Sequence, residues 1–137
     1  MSDAQKNTCQ VASACGGCCY TNMSYEQTLQ KKQELVNHLL EKLCPVMPII
    51  GASDPFYYRN KVHAAFGKIN SKTIVCGTYA EGSHKIIESD PCYIEDKKAA
   101  AIIKTIKALA ISFKTPIYDE RSGQGVLRRV LVRVAKV

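Results

Sequence analysis

Seven cysteines stand at positions 9, 15, 18, 19, 44, 76 and 92 of a 137-residue chain. Four of them crowd into Cys9-x5-Cys15-Gly16-Gly17-Cys18-Cys19. Two thiols at C-x2-C spacing can chelate one centre from a single turn. Glycine reaches positive φ without steric cost, so Gly16 and Gly17 are expected to let that turn curl tightly. An odd cysteine count behind a polar start, MSDAQKNTC, argues against a secreted disulfide framework. Clustered thiols in such a chain serve a metal or a redox reaction. Three of them on one loop leave a four-ligand site one short. Cys92, in the turn-like Ser89-Asp90-Pro91-Cys92-Tyr93 just before a helix pattern, is the natural fourth. Zinc sites usually show two short cysteine pairs. One x5 spacing, one x2 spacing and a distant fourth thiol fit an iron–sulfur cluster better, with zinc or no metal as the other readings. Cys44, before Pro45, and Cys76, inside a strand pattern, read as small buried apolar residues. Cys19 stays open, because sequence neighbours rarely reach the same metal.

The second chemistry is cationic. Lys97–Val137 holds ten basic and two acidic residues, a net +8, whereas residues 1–96 hold nine basic and ten acidic, a net −1. Such asymmetry suits an anionic partner, nucleic acid foremost. Arg59 and Lys61 alternate along one strand pattern, and Arg129 and Arg133 along another. If those strands are neighbours, the four make a stripe that tracks phosphates, and Tyr57 is placed to stack an unpaired base. A merely solubilising sheet face is the competing reading. Other candidates carry less. Gly123-x-Gly125 precedes a strand, so it is a turn and not a nucleotide loop. His63 and His84 are lone histidines on strands. Asp119-Glu120-Arg121 reads as a salt-bridged turn. No Ser/His/Asp order or paired-carboxylate motif stands out.

The elements that must position these groups follow from periodicity. Ser24 and Gln27 form a capping box. Leu29, Val36, Leu39, Leu40 and Leu43 then fall on one face of an amphipathic helix over 25–43, which Pro45 ends. Tyr57 to Phe66 alternates as a strand, with Tyr58, Val62, Ala64 and Phe66 inward. Thr73–Ala80 and His84–Glu88 complete an antiparallel meander. Asp96 caps a second helix, Lys97 to about Ser112, with Ala100, Ile103, Ile106, Leu109 and Ala110 inward. Ile117–Glu120 is a short strand. Val126–Val137 is a long one, with Val130, Val132 and Val134 inward. The fold class expected is α+β: an antiparallel sheet with two amphipathic helices and an N-terminal cysteine-rich loop. That loop spans residues 1–23 and the α+β domain residues 24–137.

The chain has the length of one domain and too little room for a separate nucleotide-binding domain. It shows neither a membrane-spanning run nor a secretory leader, so a cytoplasmic location is expected. A last strand still in mid-pattern at Val137 suggests a truncated protein.

Taken together, several motifs resemble one family. They are Cys9-x5-Cys15-Gly-Gly-Cys18, Ser24-Tyr25-Glu26-x2-Leu29-x2-Lys32, Pro48-Ile-Ile-Gly51, Asp54-Pro-Phe-Tyr57-Tyr58-Arg59-Asn60-Lys61, Gly77-x-Tyr79 with Ser83-His84, Asp90-x-Cys92-x-Ile94, Tyr118-Asp119-Glu120 and Leu127-Arg128-Arg129-Val-Leu-Val-Arg133. In family order, they resemble the central domain of the 23S rRNA (uracil-5-)-methyltransferases, which use S-adenosylmethionine. The resemblance implies a 4Fe-4S cluster on Cys9, Cys15, Cys18 and Cys92, of structural or RNA-binding use. It implies ribosomal RNA as partner, with the Tyr58-Arg59-Asn60-Lys61 strand in the domain that helps hold it. Arg129 replaces a frequent family histidine and keeps a positive charge. The family's Rossmann-like catalytic domain has no counterpart here. That domain holds the S-adenosylmethionine loop, the cysteine that adds to uracil C6 and the base that removes the C5 proton. Cys44 and Cys76 match none of these motifs. The segment alone is therefore expected to be inactive, its catalytic domain acting in cis in the full protein.

Overall fold

The computed structural model describes residues 9–20, 23–70 and 72–135. The first eight residues and residues 21 and 22 of the expected cysteine loop, Ser71 and the last two residues of the expected final strand lie outside them. The chain divides into two compact units, Tyr20–Pro55 in one, and Cys9–Cys19 with Phe56–Val137 in the other. The expected division at residues 23 and 24 therefore falls differently. The cysteine loop belongs with the sheet, and the first helix with its trailing segment makes a unit of its own.

In that first unit, α1 (Tyr25–Leu40) begins as its sequence dictates. Gln27 N–H donates to Ser24 Oγ at 3.2 Å, and Ser24 N–H donates to Gln27 Oε1 at 2.9 Å. The segment after the helix is bound to it by side chains. Ala52 N–H donates to Tyr25 Oη at 2.7 Å, and Ile49 N–H donates to Gln33 Oε1. A Cβ on Gly51 would come within 2.9 Å of Leu29 Cδ1, so the chain passes close over that side chain. The helix stops three residues short of the expected end, and its apolar stripe finds no core. None of its residues is buried, and Leu39 is 62% exposed.

The second unit contains β1 (Lys61–Ile69), β2 (Thr73–Tyr79), β3 (Ile86–Ile87), α2 (Lys97–Ser112) and β4 (Arg129–Arg133). The strands form one antiparallel sheet in the order β3-β2-β1-β4. The meander is as expected, and β4 returns along the free edge of β1. Helix α2 covers one face of the sheet. Val62, Ala99 and Val132 form the core, with Ile103, Val130 and Val134 packed against it. Asp96 Oδ1 accepts from Lys98 N–H and Ala99 N–H and so fixes the helix start. Its buried stripe keeps the expected Ala100, Ile103, Ile106 and Ala110 and takes in Ala99 in place of Leu109. Ala99 and Ala110 are buried while Leu109 stays exposed. Alanines at the closest approach let the helix backbone settle near the sheet.

Strand β1 starts later than its alternation suggests. Tyr57 adopts φ 50°, which breaks the extended run. Tyr57 and Arg59 pair instead with the segment after Cys92, and Tyr58 is 57% exposed. The expected strand at 117–120 reduces to isolated bridges, Ile117 to Leu127 and Asp119 to Gln124. Gly125 sits at φ 113°, and a Cβ there would lie 2.4 Å from Ile117 O. Glu120 pairs with Arg128 rather than with Arg121, at 2.8 Å in a bidentate contact. Asp119 instead caps its own turn by accepting from Arg121 N–H and Ser122 N–H. Among the described residues, no helix is long and apolar enough to cross a membrane.

Candidate metal centre and nucleic-acid interface

The five residues between Cys9 and Cys15 are wound into a turn. Ala12 N–H donates to Cys9 O at 3.1 Å, and Cys15 N–H donates to Val11 O at 2.8 Å. The two glycines that follow allow close approach and do not adopt the left-handed backbone expected of them, since neither has positive φ. A Cβ on Gly16 would lie 3.1 Å from Glu81 Cβ, and one on Gly17 would lie 3.3 Å from Cys15 Sγ. The loop thus lies against the β2–β3 turn, with the Cys15 sulfur over its own backbone.

Cys92 is carried by the arm between β3 and α2, after a cis Asp90–Pro91 bond. Beyond it, Tyr93 O accepts from Tyr57 N–H at 2.9 Å, Ile94 O from Arg59 N–H at 2.8 Å, and Arg59 O from Asp96 N–H at 3.0 Å. These bonds draw the Tyr57–Arg59 segment beside the cysteine arm.

The Cys18 thiol is half-buried. Burial first, then Cys92, raise its pKa above the ordinary thiol value, Arg59 opposes, and Cys15 and Cys9 add to the rise. The groups acting on Cys18 are therefore three thiols and one guanidinium, with no imidazole or carboxylate among them. That donor set suits a thiolate-held centre such as an iron–sulfur cluster. Among the described residues, no three His, Cys, Asp or Glu side chains form a group that could hold a metal ion as they are placed.

The remaining cysteines stand apart. Cys19 and Cys44 are exposed. For Cys44 this corrects the expected burial, because the segment around it has no core to enter. Cys76 is half-buried on β2, and burial above all, with Lys107 opposing, pushes its thiol up to about 12. A thiol so protonated at neutral pH makes a poor nucleophile.

The cationic residues divide into two groups. Lys61 lies directly across from Arg133, His63 from Leu131, and Ala65 from Arg129. Cross-strand partners share a face, so Lys61, His63, Arg129, Leu131 and Arg133 all project from the face opposite α2, where each is exposed. Arg129 also sits 5.8 Å from the Tyr79 ring centre, and Tyr79 meets His84 edge-on at 5.9 Å. Like charges directly opposite destabilise a sheet, and among the described residues no carboxylate ion-pairs with Lys61, Arg129 or Arg133. Arg59 does not join that stripe. It is half-buried, and its charge acts on Cys18 and on Glu95, whose pKa burial raises. Tyr57 is also half-buried, with Lys97 Nζ 4.3 Å from its ring centre, so a cation already covers one face of the ring. Sequence alternation missed this drawing-in of Arg59, because its cause is a long-range pairing with residues 94 and 95.

No protein-family model matches the chain. A protein of Clostridium tetani described as an uncharacterized RNA methyltransferase is 39% identical over 131 residues, which cover 93% of this chain and 28% of that protein. One from Oceanobacillus iheyensis is 38% identical over 133 residues, with the same shares, and one from Halalkalibacterium halodurans is 35% identical over 139, covering 98% of this chain and 30% of that protein. By sequence, the chain is similar to one segment of these RNA methyltransferases. It spans less than a third of these relatives' own length. The fold is also that of a segment of the Pyrococcus abyssi tRNA (uracil-54, C5)-methyltransferase, solved with S-adenosyl-L-homocysteine. The TM-score is 0.65 at 24% identity, over 87% of this chain and 28% of that one.

Proposed function

We infer that this segment is the cluster-holding, RNA-contacting part of an RNA (uracil-C5) methyltransferase that acts on ribosomal RNA in the cytoplasm. The observation that supports the reading is that the Cys92, Cys15 and Cys9 thiols all act on the half-buried Cys18 thiol, within a chain whose relatives are RNA methyltransferases. These four cysteines would hold a 4Fe-4S cluster, and Arg59 would offset the negative charge of their thiolates. When bound, the cluster supplies a rigid cross-link between the cysteine loop and the arm before α2.

RNA would then lie along Lys61, Arg129 and Arg133, whose unpaired charges meet phosphates. Tyr57 and Arg59 would serve at the edge of the thiol pocket, where RNA passing the sheet face reaches the Lys97-covered ring. Transfer of the methyl group from S-adenosylmethionine would belong to the catalytic portion of the longer protein.

The test is methyl transfer from labelled S-adenosylmethionine by a protein of the relatives' full length. The expected product is 5-methyluridine in ribosomal RNA, with none in tRNA and none from residues 1–137 alone. Methylation of tRNA only, or methyl transfer by the segment itself, contradicts the assignment.

A further inference from the structure

We propose that Glu88 is a positioning residue for Cys92, anchoring the arm that delivers this thiol to the Cys9–Cys18 loop. The inference rests on the reading of the four cysteines as cluster ligands. Regular pairing of β2 with β3 ends at Thr78 opposite Ile87, and the next residue is Glu88. There the chain leaves the sheet, and Cys76 N–H donates to the Glu88 carboxylate at 3.0 Å. That carboxylate takes the place of a ladder carbonyl. Its same oxygen accepts from Lys107 Nζ on α2, so one side chain ties the arm to both the sheet and the helix.

The backbone is fixed as well. A Cβ on Gly77 would lie 2.1 Å from Ile87 O and 3.1 Å from Glu88 Cα, so the arm begins pressed against a bare glycine. From Glu88 to Cys92 the arm then borders a cavity of about 650 Å³, together with Cys76, Ala108 and Lys107. A segment beside open space is held by its end anchors more than by packing. One anchor is Glu88, and the other is the pairing of Tyr93 and Ile94 with Tyr57 and Arg59. Burial alone would raise the Glu88 carboxyl, yet Lys107 and the Cys76 N–H outweigh it and hold it below the usual range.

A second ion pair, Lys104 to Asp90 at 3.1 Å, also touches the arm, but its side chains are 76% and 71% exposed. Pairs that open to water contribute little. The partly covered Lys107–Glu88 pair, at 28% and 43% exposure, is the one that acts. The two lysines thus make a matched comparison, with equal charge and unequal burial.

The experiment reconstitutes residues 1–137 anaerobically with ferrous iron and sulfide. It follows bound iron and the decay of visible absorption under a chelator, and it records thermal melts of the metal-free proteins. Removing a partner that orients a metal ligand typically weakens metal holding by about 10–100-fold, so E88A and K107M are expected to lose iron at least about tenfold faster than the parent. E88Q keeps an acceptor for the Cys76 N–H and is expected to fall between. K104M is expected to match the parent. K107M changes only a side chain at the cavity rim, so it carries the test if E88A melts too early to be read. Equal iron retention by parent, E88A and K107M overturns the positioning role and leaves the cluster reading standing. K104M losing iron as fast as K107M also overturns it, since net charge would then be the cause. A parent chain that takes up no iron overturns both readings.

Discussion

Arg59 and Lys61 are two residues apart, and they meet opposite surroundings. Arg59 is half-buried, its backbone is bonded to Ile94 and Asp96, and its charge acts on Cys18. Lys61 stands on the exposed sheet face, directly across from Arg133. Around Cys18 the thiols of Cys92, Cys15 and Cys9 are opposed by the Arg59 charge. The sheet face exposes its cations to solvent, and among the described residues none of Lys61, Arg129 and Arg133 has an ion-pair partner. Inward-drawn thiols beside one cation suit a centre held within the protein, and an exposed cationic face suits a polyanion.

The comparison is broken most severely by removing a ligand. Cys18→Ser is expected to abolish iron uptake while leaving affinity for a single-stranded RNA oligonucleotide within about twofold, because a sulfur-to-oxygen change adds no charge to the sheet face. Iron analysis and fluorescence anisotropy on the same samples read both sides. Parallel loss of RNA binding would merge the two regions into one site.

Next comes the core they share. Val62 is 2% exposed and lies under both, between Ala99 and Val132. Val62→Ala is expected to lower unfolding free energy by about 2 kcal/mol. Chemical denaturation checks the value, and a change under about 0.5 kcal/mol would show that this core does not support the sheet.

The face itself is sharpened by Lys61→Met with Arg133→Met. Each phosphate contact on single-stranded nucleic acid contributes about 0.7 to the salt slope, so the double variant is expected to lose about 1.4 of slope and keep its iron. An unchanged slope would reduce these cations to a solubilising surface.

The smallest effect is a pH dependence. The Glu88 carboxyl is held below its ordinary value in the folded state, although burial opposes this. Its stabilisation is therefore present above the unfolded carboxylate range and is lost as pH falls through the folded value. Glu88→Gln should flatten the acid limb of a plot of melting temperature against pH. A limb identical to the parent's would remove Glu88 from the account.

Local signals carried much of this architecture. Helix α2 begins and ends where Asp96 and its periodicity place it, because a cap and a 3.6-residue repeat need no distant partner. Ser24 and Gln27 declare the start of α1 for the same reason. Burial of its stripe was not legible, because amphipathicity records a demand for a partner and not the partner's presence. The inward valines of β1 and β4 followed from the two-residue period. The adjacency of Lys61 and Arg133 had to come from a pairing some seventy residues apart in sequence. For the cysteines, spacing selected Cys9, Cys15 and Cys18. It could not register Glu88, whose carboxylate bridges groups on β2 and α2.

The central claim is that Cys9, Cys15, Cys18 and Cys92 together hold an iron–sulfur cluster. Anaerobic reconstitution of the chain and of its seven single Cys→Ser variants tests it directly, by iron and sulfide content and visible absorption. The account predicts the broad absorption of a cluster in the parent and in the variants at Cys19, Cys44 and Cys76, and its loss in the other four. A colourless parent that binds zinc, or a cluster that survives without Cys92 and fails without Cys76, would contradict it.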